Sequence, residues 1–431
     1  MEAYEWTVAA CSFQASPGNR TQMRIAVVTW SSRKVGGIET YLDRVICWLG
    51  ERGHDVALWH EMHRPEDRDP IAIPSGTSPI CVEEIGIDSA IAKLRDWEPD
   101  VIYAHGLLDP QFEARLPTIA PVYFFAHQYH GTCVGGSKTW KSPRAVPCRR
   151  AIGWQCLLHY YPHRCGGWHP ATMVREYGRQ KQRLDTLRSC RGILTHTEHM
   201  RGEYLKHGFP RERVHKIPFP VTIAGGVQPV ATKAKLTSES PATLLFLGRM
   251  DRLKGGTYLI RAAAAASAQI QRPLDVTVAG DGPERAEWQR LAKHTAEMHD
   301  GLRISFPGWV GESERNNLFA NADLLVVPSL WPEPFGMVGI EAGHFGTPSA
   351  AYAVGGIPEW LVEGRNGHLA PGDPPTKQGL AEAIRKCLAD PIHYRELSEG
   401  AASLSQEYTA EEHLDALLEL FSQSEDGGPD S

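Results

Sequence analysis

Short apolar runs rich in β-branched residues alternate with helical stretches along most of the chain, and this alternation restricts the fold more than any other feature. Ten such runs lie in the 431 residues, at 24–30, 55–59, 100–104, 121–126, 192–195, 243–248, 274–279, 302–306, 322–328 and 349–353. Alternating strands and helices indicate parallel sheets with crossover helices on both faces. The sequence therefore predicts an α/β protein made of two Rossmann-like, doubly wound parallel-sheet domains.

Residues 221–241 interrupt the alternation and are predicted to link the two domains. They are rich in Gly, Ala, Thr, Ser and Pro and contain no aromatic residue, so they offer little surface for a core. A single core seldom grows beyond about 300 residues, which also favours two domains. We expect an extension at 1–22, a first domain at 23–220 with an insertion at 130–170, a second domain at 242–405, a helix at 406–422 that crosses back to the first domain, and a flexible tail at 423–431.

The composition is that of a soluble globular protein, with 42% hydrophobic and 22% charged residues. No apolar run approaches the roughly 18 residues of a membrane-spanning helix, and the early acids Glu2 and Glu5 are not typical of a secretory signal. Nine cysteines, an odd number spread over a long chain, do not indicate a disulfide framework. We therefore expect a cytoplasmic protein.

Residues 328–341 run from a strand end through a turn bracketed by prolines into a predicted helix. Glu333 precedes this helix and Glu341 lies within it. The unpaired N–H groups and positive dipole end of a helix start favour an anion, so residues 335–338 are candidate phosphate ligands, and Gly336 leaves room for a close approach. Glu341 is then placed to reach ribose hydroxyls, and Glu333 to bind a second polyol. A surface helix with two solvated acids is the alternative.

A second strand-to-helix turn, residues 246–256, carries two cations and two adjacent glycines. Arg249 offers a planar fork of donors and Lys254 a compact charge, which together suit the two phosphates of a nucleotide diphosphate. Neither Gly-x-Gly-x-x-Gly nor a phosphate-loop Gly-Lys-Ser/Thr sequence is present, which argues against a dinucleotide or a triphosphate. Taken alone, a basic turn of this kind is more often a solvated surface.

Together these motifs resemble the retaining, nucleotide-sugar-dependent glycosyltransferases of the GT-B fold, group 1 (family 4). Five motifs in family order carry the resemblance: residues 248–255, 280–283 (Gly-Asp-Gly-Pro), 306–309 (Phe-Pro-Gly-Trp), the Glu-x7-Glu segment at 333–341, and 355–359 (Gly-Gly-Ile-Pro-Glu). The first half matches more loosely, at residues 36–39, 53–56 and His127. The resemblance implies two domains that face each other across a cleft, with the acceptor side in the first domain and the nucleotide-sugar site in the second.

The resemblance also implies a role for each matching residue of the second domain. Arg249 and Lys254 would neutralise the donor diphosphate, Glu341 would bind the ribose, and Glu333 would hold the donor sugar. The further donor-binding residues that it implies are Gly248, Gly282, Val310, Phe335, Gly336, Met337 and Val338.

Three residues of the first domain are implied to reach the same ligand. His127 would contact the donor sugar, and Gly36 and Gly37 would approach the phosphate or the acceptor. His130 is a close competitor of His127, and a packed or surface imidazole is the alternative for both. The candidate catalytic residues are therefore Arg249, Lys254, Glu333 and His127.

Transfer from such a donor places growing negative charge on the leaving diphosphate. Cations and helix-start amides held in place would stabilise that charge, so we expect neither a metal ion nor another cofactor. A front-face route, in which the leaving phosphate takes the acceptor proton, is the common proposal for this family, and we nominate no catalytic base. The expected partners are a nucleotide diphosphate sugar and a glycan, lipid-linked or small-molecule acceptor, and no nucleic acid. A glycan phosphorylase, a nucleotide-sugar epimerase and a non-catalytic nucleotide-sugar-binding protein are the alternatives.

The insertion at 130–170 is unusual for its cysteines, aromatics and cations. The intervals between its four cysteines match no standard zinc ribbon or knuckle, so a structural metal, reduced packing cysteines and a redox role all stay open. Its tryptophans and arginines fit a peripheral contact with an anionic membrane, or a solvated acceptor loop. Residues 138–216 as a whole hold 17 Lys and Arg against 5 Asp and Glu. The four cysteines are Cys133, Cys148, Cys156 and Cys165.

Overall fold

The computed structural model describes residues 22–64, 68–74, 77–221 and 240–423. Nearly all of the extension predicted at 1–22, the linker at 221–241 and the tail at 423–431 lies outside these ranges. Within them the chain forms two α/β domains, each built on its own parallel sheet.

The first domain is built on a seven-stranded sheet in which every strand pair is parallel. Its strands are buried because helices cover both faces, and Ile25, Val27 and Val28 of the first strand have no exposed area. The strands are β1 (Arg24–Ser31), β2 (Asp55–Met62), β3 (Ile80–Cys81), β4 (Val101–His105), β5 (Val122–Phe125), β6 (Thr139–Trp140), β7 (Val146–Pro147), β8 (Gly192–Thr195) and β9 (Val214–Lys216). The sheet has the order β3-β2-β1-β4-β5-β8-β9. The antiparallel pair β6-β7 forms a small hairpin in the insertion.

The second domain is built on a six-stranded parallel sheet. Its strand order, β12-β11-β10-β13-β14-β15, reverses direction between β10 and β13, as in a doubly wound fold. Ligands of such folds bind at the carboxyl ends of the strands next to this reversal. The strands are β10 (Ala242–Leu247), β11 (Leu274–Ala279), β12 (Leu302–Gly308), β13 (Leu324–Val327), β14 (Ser349–Tyr352) and β15 (Gly367–Ala370).

Helices connect the strands of both domains and cover the two sheets. Within the described residues no helix is both long and apolar enough to cross a bilayer. The first domain contains α1 (Gly37–Glu51), α2 (Val82–Ile85), α3 (Ile87–Asp96), α4 (Pro110–Arg115), α5 (Gln155–His159), α6 (Pro170–Ser189) and α7 (Glu198–Lys206). The remaining helices are α8 (Gly256–Ile270), α9 (Arg285–Glu297), α10 (Glu312–Asn321), α11 (Val338–His344), α12 (Ile357–Trp360), α13 (Lys377–Leu388), α14 (Pro391–Ser405) and α15 (Ala410–Ser422).

All ten strand positions predicted from the sequence overlap strands of the two sheets. The strands of the two parallel sheets that the apolar pattern did not indicate, β3, β9 and β15, lie at sheet edges and have only two, three and four residues. Such short edge strands carry too few apolar residues to stand out. The sheets therefore follow the alternation pattern except at their margins.

The last helix, α15, packs against the first domain although it follows the second domain in the chain. The Tyr123 hydroxyl donates to the Leu420 carbonyl at 2.6 Å, and the Tyr41 hydroxyl lies 2.8 Å from His413 Nε2. The helix begins at Ala410, four residues after the predicted start, because the Thr409 side chain caps it by accepting the Glu412 N–H at 3.1 Å. This helix joins the two domains.

Candidate active site

Lys254 and Glu333 form an ion pair at the carboxyl ends of the second sheet. Lys254 ends a short 3-10 turn after β10, and Glu333 lies in the loop after β13. Lys254 Nζ donates to Glu333 Oε1 at 2.7 Å, and the ammonium lies 5.2 Å from the centre of the Trp331 ring. The face of an indole ring attracts a cation. The fold thus brings together two candidate residues that are 79 positions apart.

The Glu333 carboxylate is only 6% exposed, and its neighbours hold it in place. The Ser329 hydroxyl donates to the same carboxylate oxygen as Lys254, and the Gly356 amide donates to the Glu333 carbonyl at 2.7 Å. Gly355 has a φ of 60°, and a Cβ there would lie 2.2 Å from the Glu333 carbonyl oxygen. The Gly-Gly motif at 355–356 therefore helps to position Glu333 through its backbone carbonyl.

Gly255 decides how closely the Lys254 turn approaches β13. Its φ is 75° and its ψ is 22°, a left-handed conformation that favours glycine. A Cβ at this position would lie 1.9 Å from the Pro328 carbonyl oxygen. Gly248 and Gly282 follow the ends of the neighbouring strands β10 and β11. The close backbone approach leaves Lys254 beside the loop that carries Glu333.

Arg249 lies on the same turn as Lys254, and its environment is different. Its side chain is exposed, and its guanidinium makes no hydrogen bond or ion pair with another described residue. A planar fork of N–H donors without a protein acceptor is available to an anionic ligand. Of the two predicted phosphate ligands, Arg249 carries a charge that the described protein groups leave unpaired, whereas the charge of Lys254 is paired with Glu333.

Glu341 is buried in α11, and Arg315 from α10 approaches it. The carboxylate is 5% exposed, and Arg315 Nη1 lies 3.4 Å from Glu341 Oε1. The helix begins at Val338, the last of the residues 335–338 that were predicted to form its start, so Glu341 lies in its first turn. The later start has a physical reason, because Gly336 has a φ of 93° that no α-helix includes.

Phe335, Gly336 and Met337 form the turn that leads into α11. The Phe335 carbonyl accepts the Trp360 Nε1–H at 2.7 Å, and its ring stacks on Phe219 of the first domain at 5.0 Å. Phe335 is therefore a buried packing residue, and only its backbone is a candidate ligand. Val338 is the first residue of the helix.

The turn before α11 also faces the glycines that begin α1. A Cβ at Gly37 would lie 2.0 Å from the Met337 Cε, so these two residues are in contact across the cleft. Gly36 precedes the first turn of α1, and its amide donates to Glu39 Oε2 at 2.8 Å. Burial raises the pKa of Glu39, while hydrogen bonds from its own amide, the Trp30 indole and the Gly36 amide act in the opposite direction. Gly36, Gly37 and Met337 thus lie on facing walls of one cleft.

Two hydrogen bonds from the first domain hold the loop before Phe335. The Tyr129 hydroxyl donates to the Pro332 carbonyl at 2.8 Å, and the Thr197 hydroxyl donates to the Pro334 carbonyl at 2.7 Å. The sequence motifs did not indicate Tyr129 or Thr197. Because both bonds end on the backbone beside Glu333, the first domain helps to position this acid.

Glu359, the last residue of the Gly-Gly-Ile-Pro-Glu motif, binds the first domain. Its carboxylate accepts the backbone N–H groups of Glu198 and His199 at 2.9 and 3.0 Å, and Lys216 Nζ donates to it at 2.9 Å. The N–H groups belong to the first turn of α7, where the helix dipole favours a negative charge. Glu359 therefore joins the two domains beside the site.

His127 lies at the carboxyl end of β5 in a group of aromatic and imidazole rings. Its Nε2 is 3.0 Å from His105 Nδ1, and its ring stacks on Phe125 at 4.5 Å. Burial, followed by the nearby His413, lowers the pKa of His127 to about 3. The imidazole is therefore neutral at neutral pH, and it offers a hydrogen bond and not a charge.

His130, the competitor of His127, is bound elsewhere. Its Nε2 lies 3.2 Å from Glu113 Oε1, and Arg183 Nε lies 3.3 Å from the other oxygen of that carboxylate. These partners belong to α4 and α6, which cover the outer part of the sheet. The structure therefore favours the packing role for His130.

Val310, one of the donor-binding residues implied by the resemblance, follows β12. It is half-buried against the core, and the adjacent Trp309 is 50% exposed. The Arg68 guanidinium of the first domain lies 3.9 Å from the centre of the Trp309 ring. Val310 thus lies on the same edge of the second sheet as Lys254 and Glu333.

The four cysteines of the insertion line one small cavity of about 30 Å³. The Lys138 amide donates to Cys133 Sγ at 3.3 Å, and burial together with the other three thiols raises the pKa of Cys165 to about 12. Among the described residues no three of these sulfur atoms lie within 4.8 Å of one another. All four are free thiols in the structure. The four are Cys133, Cys148, Cys156 and Cys165.

The basic block at 138–216 does not form one free cationic surface. Many of its Lys and Arg side chains are paired with carboxylates, and Lys138 and Arg183 are buried. This region also exposes four large apolar side chains. Trp154, Leu158, Trp168 and Val174 are 62%, 63%, 70% and 58% exposed. The pairs are Lys138–Glu203, Arg183–Glu113, Arg188–Asp185, Arg201–Glu198 and Lys216–Glu359.

One Asp-x-Asp sequence, Asp67-Arg68-Asp69, occurs in the chain. Asp67 lies outside the described residues, and the Asp69 carbonyl accepts the Lys34 amide at 2.8 Å. The expectation that no metal is needed therefore rests on the family resemblance and on the available cations.

Two family models together match most of the chain. A model described as Glycosyl transferases group 1 matches residues 228–404, and one described as Glycosyltransferase Family 4 matches residues 35–224. D-inositol 3-phosphate glycosyltransferase 1 of Catenulispora acidiphila is 34% identical over 190 residues, which are 43% of this chain and 45% of that protein. The match thus spans less than half of that relative. Glycogen synthase of Mycobacterium tuberculosis is 27% identical over 413 residues, 86% of this chain and 87% of that protein.

Solved structures are similar over nearly the whole chain. HepE of Anabaena, in complex with UDP and glucose, has a TM-score of 0.64 at 17% identity and covers 93% of this chain and 100% of its own. Sucrose-phosphate synthase of Thermosynechococcus elongatus has a TM-score of 0.66 at 21% identity, with coverages of 93% and 99%. At these identities the likeness describes the fold. With its two facing parallel-sheet domains and the two family matches, the chain has the GT-B fold and belongs to the group 1 glycosyltransferases.

Proposed function

We propose that this glycosyltransferase moves a sugar from a nucleotide diphosphate donor to a hydroxyl acceptor with retention of anomeric configuration. One observation carries the proposal: the buried Glu333 carboxylate is paired with Lys254 on a turn that also presents Arg249, whose guanidinium has no partner among the described residues. A fixed acid suits the hydroxyls of a sugar, and the free guanidinium suits the adjoining phosphates. The UDP and glucose bound by the structural relative HepE support this class of donor.

The leaving diphosphate explains why cations are needed at this edge of the sheet. Negative charge grows on the bridging oxygen as the glycosidic bond breaks, and a cation already in place stabilises it without reorganisation. Arg249 supplies a whole unpaired charge. Lys254 supplies a charge shared with Glu333, and this sharing orients the acid toward the position of the sugar. Glu341 is proposed to bind the ribose, with Arg315 holding its carboxylate.

We further propose that transfer needs no metal ion and no protein base. In the front-face route the leaving phosphate oxygen takes the proton of the acceptor hydroxyl, so the neutral His127 has only to orient a hydroxyl. Contacts such as Gly37–Met337 narrow the cleft between the domains, and closing it would exclude water from the donor.

The acceptor is proposed to approach from the first domain, where the insertion exposes a small apolar surface. Trp154, Leu158 and Trp168 of the insertion are exposed, and so are Arg144 and Arg150, whose side chains have no partner among the described residues. Indole rings beside cations are typical of a protein surface that rests on anionic lipid headgroups. A lipid-linked acceptor at the cytoplasmic face of a membrane fits this surface. A glycan or small-molecule acceptor is compatible with the same cleft.

A donor panel tests the proposal. Thermal unfolding is followed with UDP-, GDP- and ADP-sugars in the presence of EDTA, since a ligand at 100 times its Kd stabilises a protein by about 2.7 kcal/mol. The stabilising donor is then incubated with acceptors, and nucleoside diphosphate release and product anomer are measured. We expect metal-independent release and retained configuration. Donor binding without any release identifies a binding protein, conversion of the donor without acceptor identifies an epimerase, and an inverted product refutes the retaining mechanism.

A further inference from the structure

His60, His63 and Cys81 lie together at one edge of the first sheet. The parallel register of β2 and β3 places His60 beside Cys81, and His63 follows the end of β2. One ligand atom from each of the three lies within 4.8 Å of the other two, and no other such group occurs within the described ranges. Nothing in the proposed transfer reaction uses these residues.

His60 is a buried imidazole with one unsatisfied nitrogen. The side chain has no exposed area, and its Nδ1 is 3.2 Å from the Met62 carbonyl. Because a carbonyl only accepts, Nδ1 carries the proton and Nε2 keeps its lone pair. This Nε2 has no hydrogen-bond partner in the described structure. A neutral imidazole nitrogen of this kind is a common metal ligand.

His63 and Cys81 have the surroundings that metal ligands usually have, namely outer hydrogen-bond partners and burial. The two His63 nitrogens face Ser32 Oγ at 3.1 Å and a Glu84 carboxylate oxygen at 3.0 Å, so one nitrogen can coordinate while the other keeps an outer partner. Cys81 is 3% exposed, and the backbone amides of Glu83 and Glu84 favour its thiolate. A bound metal ion deprotonates the thiol that coordinates it.

We propose that His60, His63 and Cys81 bind one zinc ion. Two imidazoles and one thiolate are a donor set that zinc prefers, and the Glu84 carboxylate beside His63 is the nearest candidate for the fourth position. Ligand atoms at 2.0 to 2.3 Å from zinc lie about 3.5 Å apart, so shifts of about 1 Å complete the site.

The charges around the site are balanced. The thiolate and Glu84 together match the double charge of the ion. The nearest opposing charge is Arg33, whose guanidinium donates to the Arg68 carbonyl at 3.2 Å. Glu83 is paired with Arg64.

The ion would act as a clamp. His60 and Cys81 belong to neighbouring strands, and His63 reaches Ser32 in the segment between β1 and α1. That segment continues to Gly36 and Gly37 on the wall of the cleft. A metal here would fix their approach to Met337. The inference does not depend on which donor or acceptor the enzyme uses.

The test measures zinc in the full chain, with Cys133→Ser and Cys148→Ser introduced throughout so that no more than two thiols remain in the four-cysteine cavity. After chelation and re-addition of zinc, we expect one equivalent by mass spectrometry of the metal. Cobalt substituted for zinc should give tetrahedral absorption bands and a thiolate-to-cobalt charge-transfer band. Absence of bound zinc, or cobalt bands without a thiolate contribution, overturns the proposal without any further variant.

Three variants then locate the ion. Cys81→Ala and His63→Ala should weaken zinc binding at least 100-fold, beyond the roughly 10- to 100-fold typical of losing an outer partner, and Ser32→Ala should weaken it about 10-fold. Circular dichroism checks that each variant is folded. Unchanged zinc affinity in folded Cys81→Ala and His63→Ala overturns the site.

Discussion

Replacing Lys254 by methionine should affect stability and activity by separable amounts. Glu333 is 6% exposed, and among the described residues its carboxylate would keep only Ser329 as a side-chain donor. A hydrogen bond to a charged group contributes about 1.5 to 3 kcal/mol, and the 30% exposure of the Lys254 side chain reduces this to about 1 to 2 kcal/mol. We expect the midpoint of thermal unfolding to fall by about 2 to 8 °C.

The activity of the same variant should fall further than its stability suggests. A pre-placed group that stabilises a leaving oxyanion typically contributes about 10²- to 10³-fold in rate. We therefore expect kcat/KM to fall by about that factor, measured as nucleoside diphosphate released under conditions where the variant is fully folded.

A second substitution separates the contribution of Lys254 to stability from its contribution to the rate. In Lys254→Met/Glu333→Gln the buried charge is gone while the amide still pairs with Ser329, so the unfolding free energy should return to within about 1 kcal/mol of the parent. The rate should stay at least roughly 10²-fold low, because the cation is missing. Lys293→Met, on the exposed side of α9, is the matched control and should change neither quantity.

The outcomes that contradict this reasoning are specific. Recovery of the rate in the double variant would mean that charge balance, and not the cation, matters at the site. An unchanged unfolding midpoint in Lys254→Met would mean that the ion pair contributes nothing to the fold.

Three further predictions follow from single positions. Arg249→Ala should lower kcat/KM about 10²-fold while changing the unfolding free energy by no more than about 0.5 kcal/mol, since the side chain is exposed; a large loss of stability would contradict this. Gly255→Ala should lower the unfolding free energy by at least about 2 kcal/mol in urea, because its left-handed conformation costs about 1 to 2 kcal/mol and its Cβ would lie 1.9 Å from the Pro328 oxygen; an unchanged urea midpoint would contradict the packing. The pKa of His127 is about 3 in the folded chain and 6.5 in the reference state, so only the unfolded chain takes up this proton between those values. The unfolding free energy should therefore fall as the pH drops below about 6.5, by up to about 1.4 kcal/mol per pH unit from this group, and His127→Gln should flatten the slope measured by urea titration.

The motifs of the proposed donor site could be predicted from the sequence because their residues lie close together in the chain. Gly255 follows Lys254 directly, and Gly336 lies three positions from Glu333, so strand end, turn and functional residue occur in one short segment. The residues that hold these segments together could not be predicted from the sequence. Arg315 reaches Glu341 from a different helix, and Tyr129 reaches the loop before Phe335 from a different domain.

The histidines also show that the sequence does not predict contacts between distant segments. His127 and His130 follow one strand three positions apart, and in the sequence only the loose family match favours His127. Their neighbours do so: His130 is paired with Glu113, while His127 lies among the rings at the strand end near His413. The proposed zinc ligands His60 and Cys81 were also missed, because they lie 21 positions apart and only the strand register makes them adjacent.

By itself the sequence determined the two parallel sheets and the motif turns at their edges, since strand periodicity and turn chemistry depend on residues close together in the chain. Only the tertiary structure decided which charges are paired and which are free. Lys254 and Arg249 look alike on one turn, yet Glu333 neutralises the first and the described protein groups leave the second for a ligand. The reason is physical: electrostatic pairing depends on distance in space, and folding alone brings residues 254 and 333 within 2.7 Å.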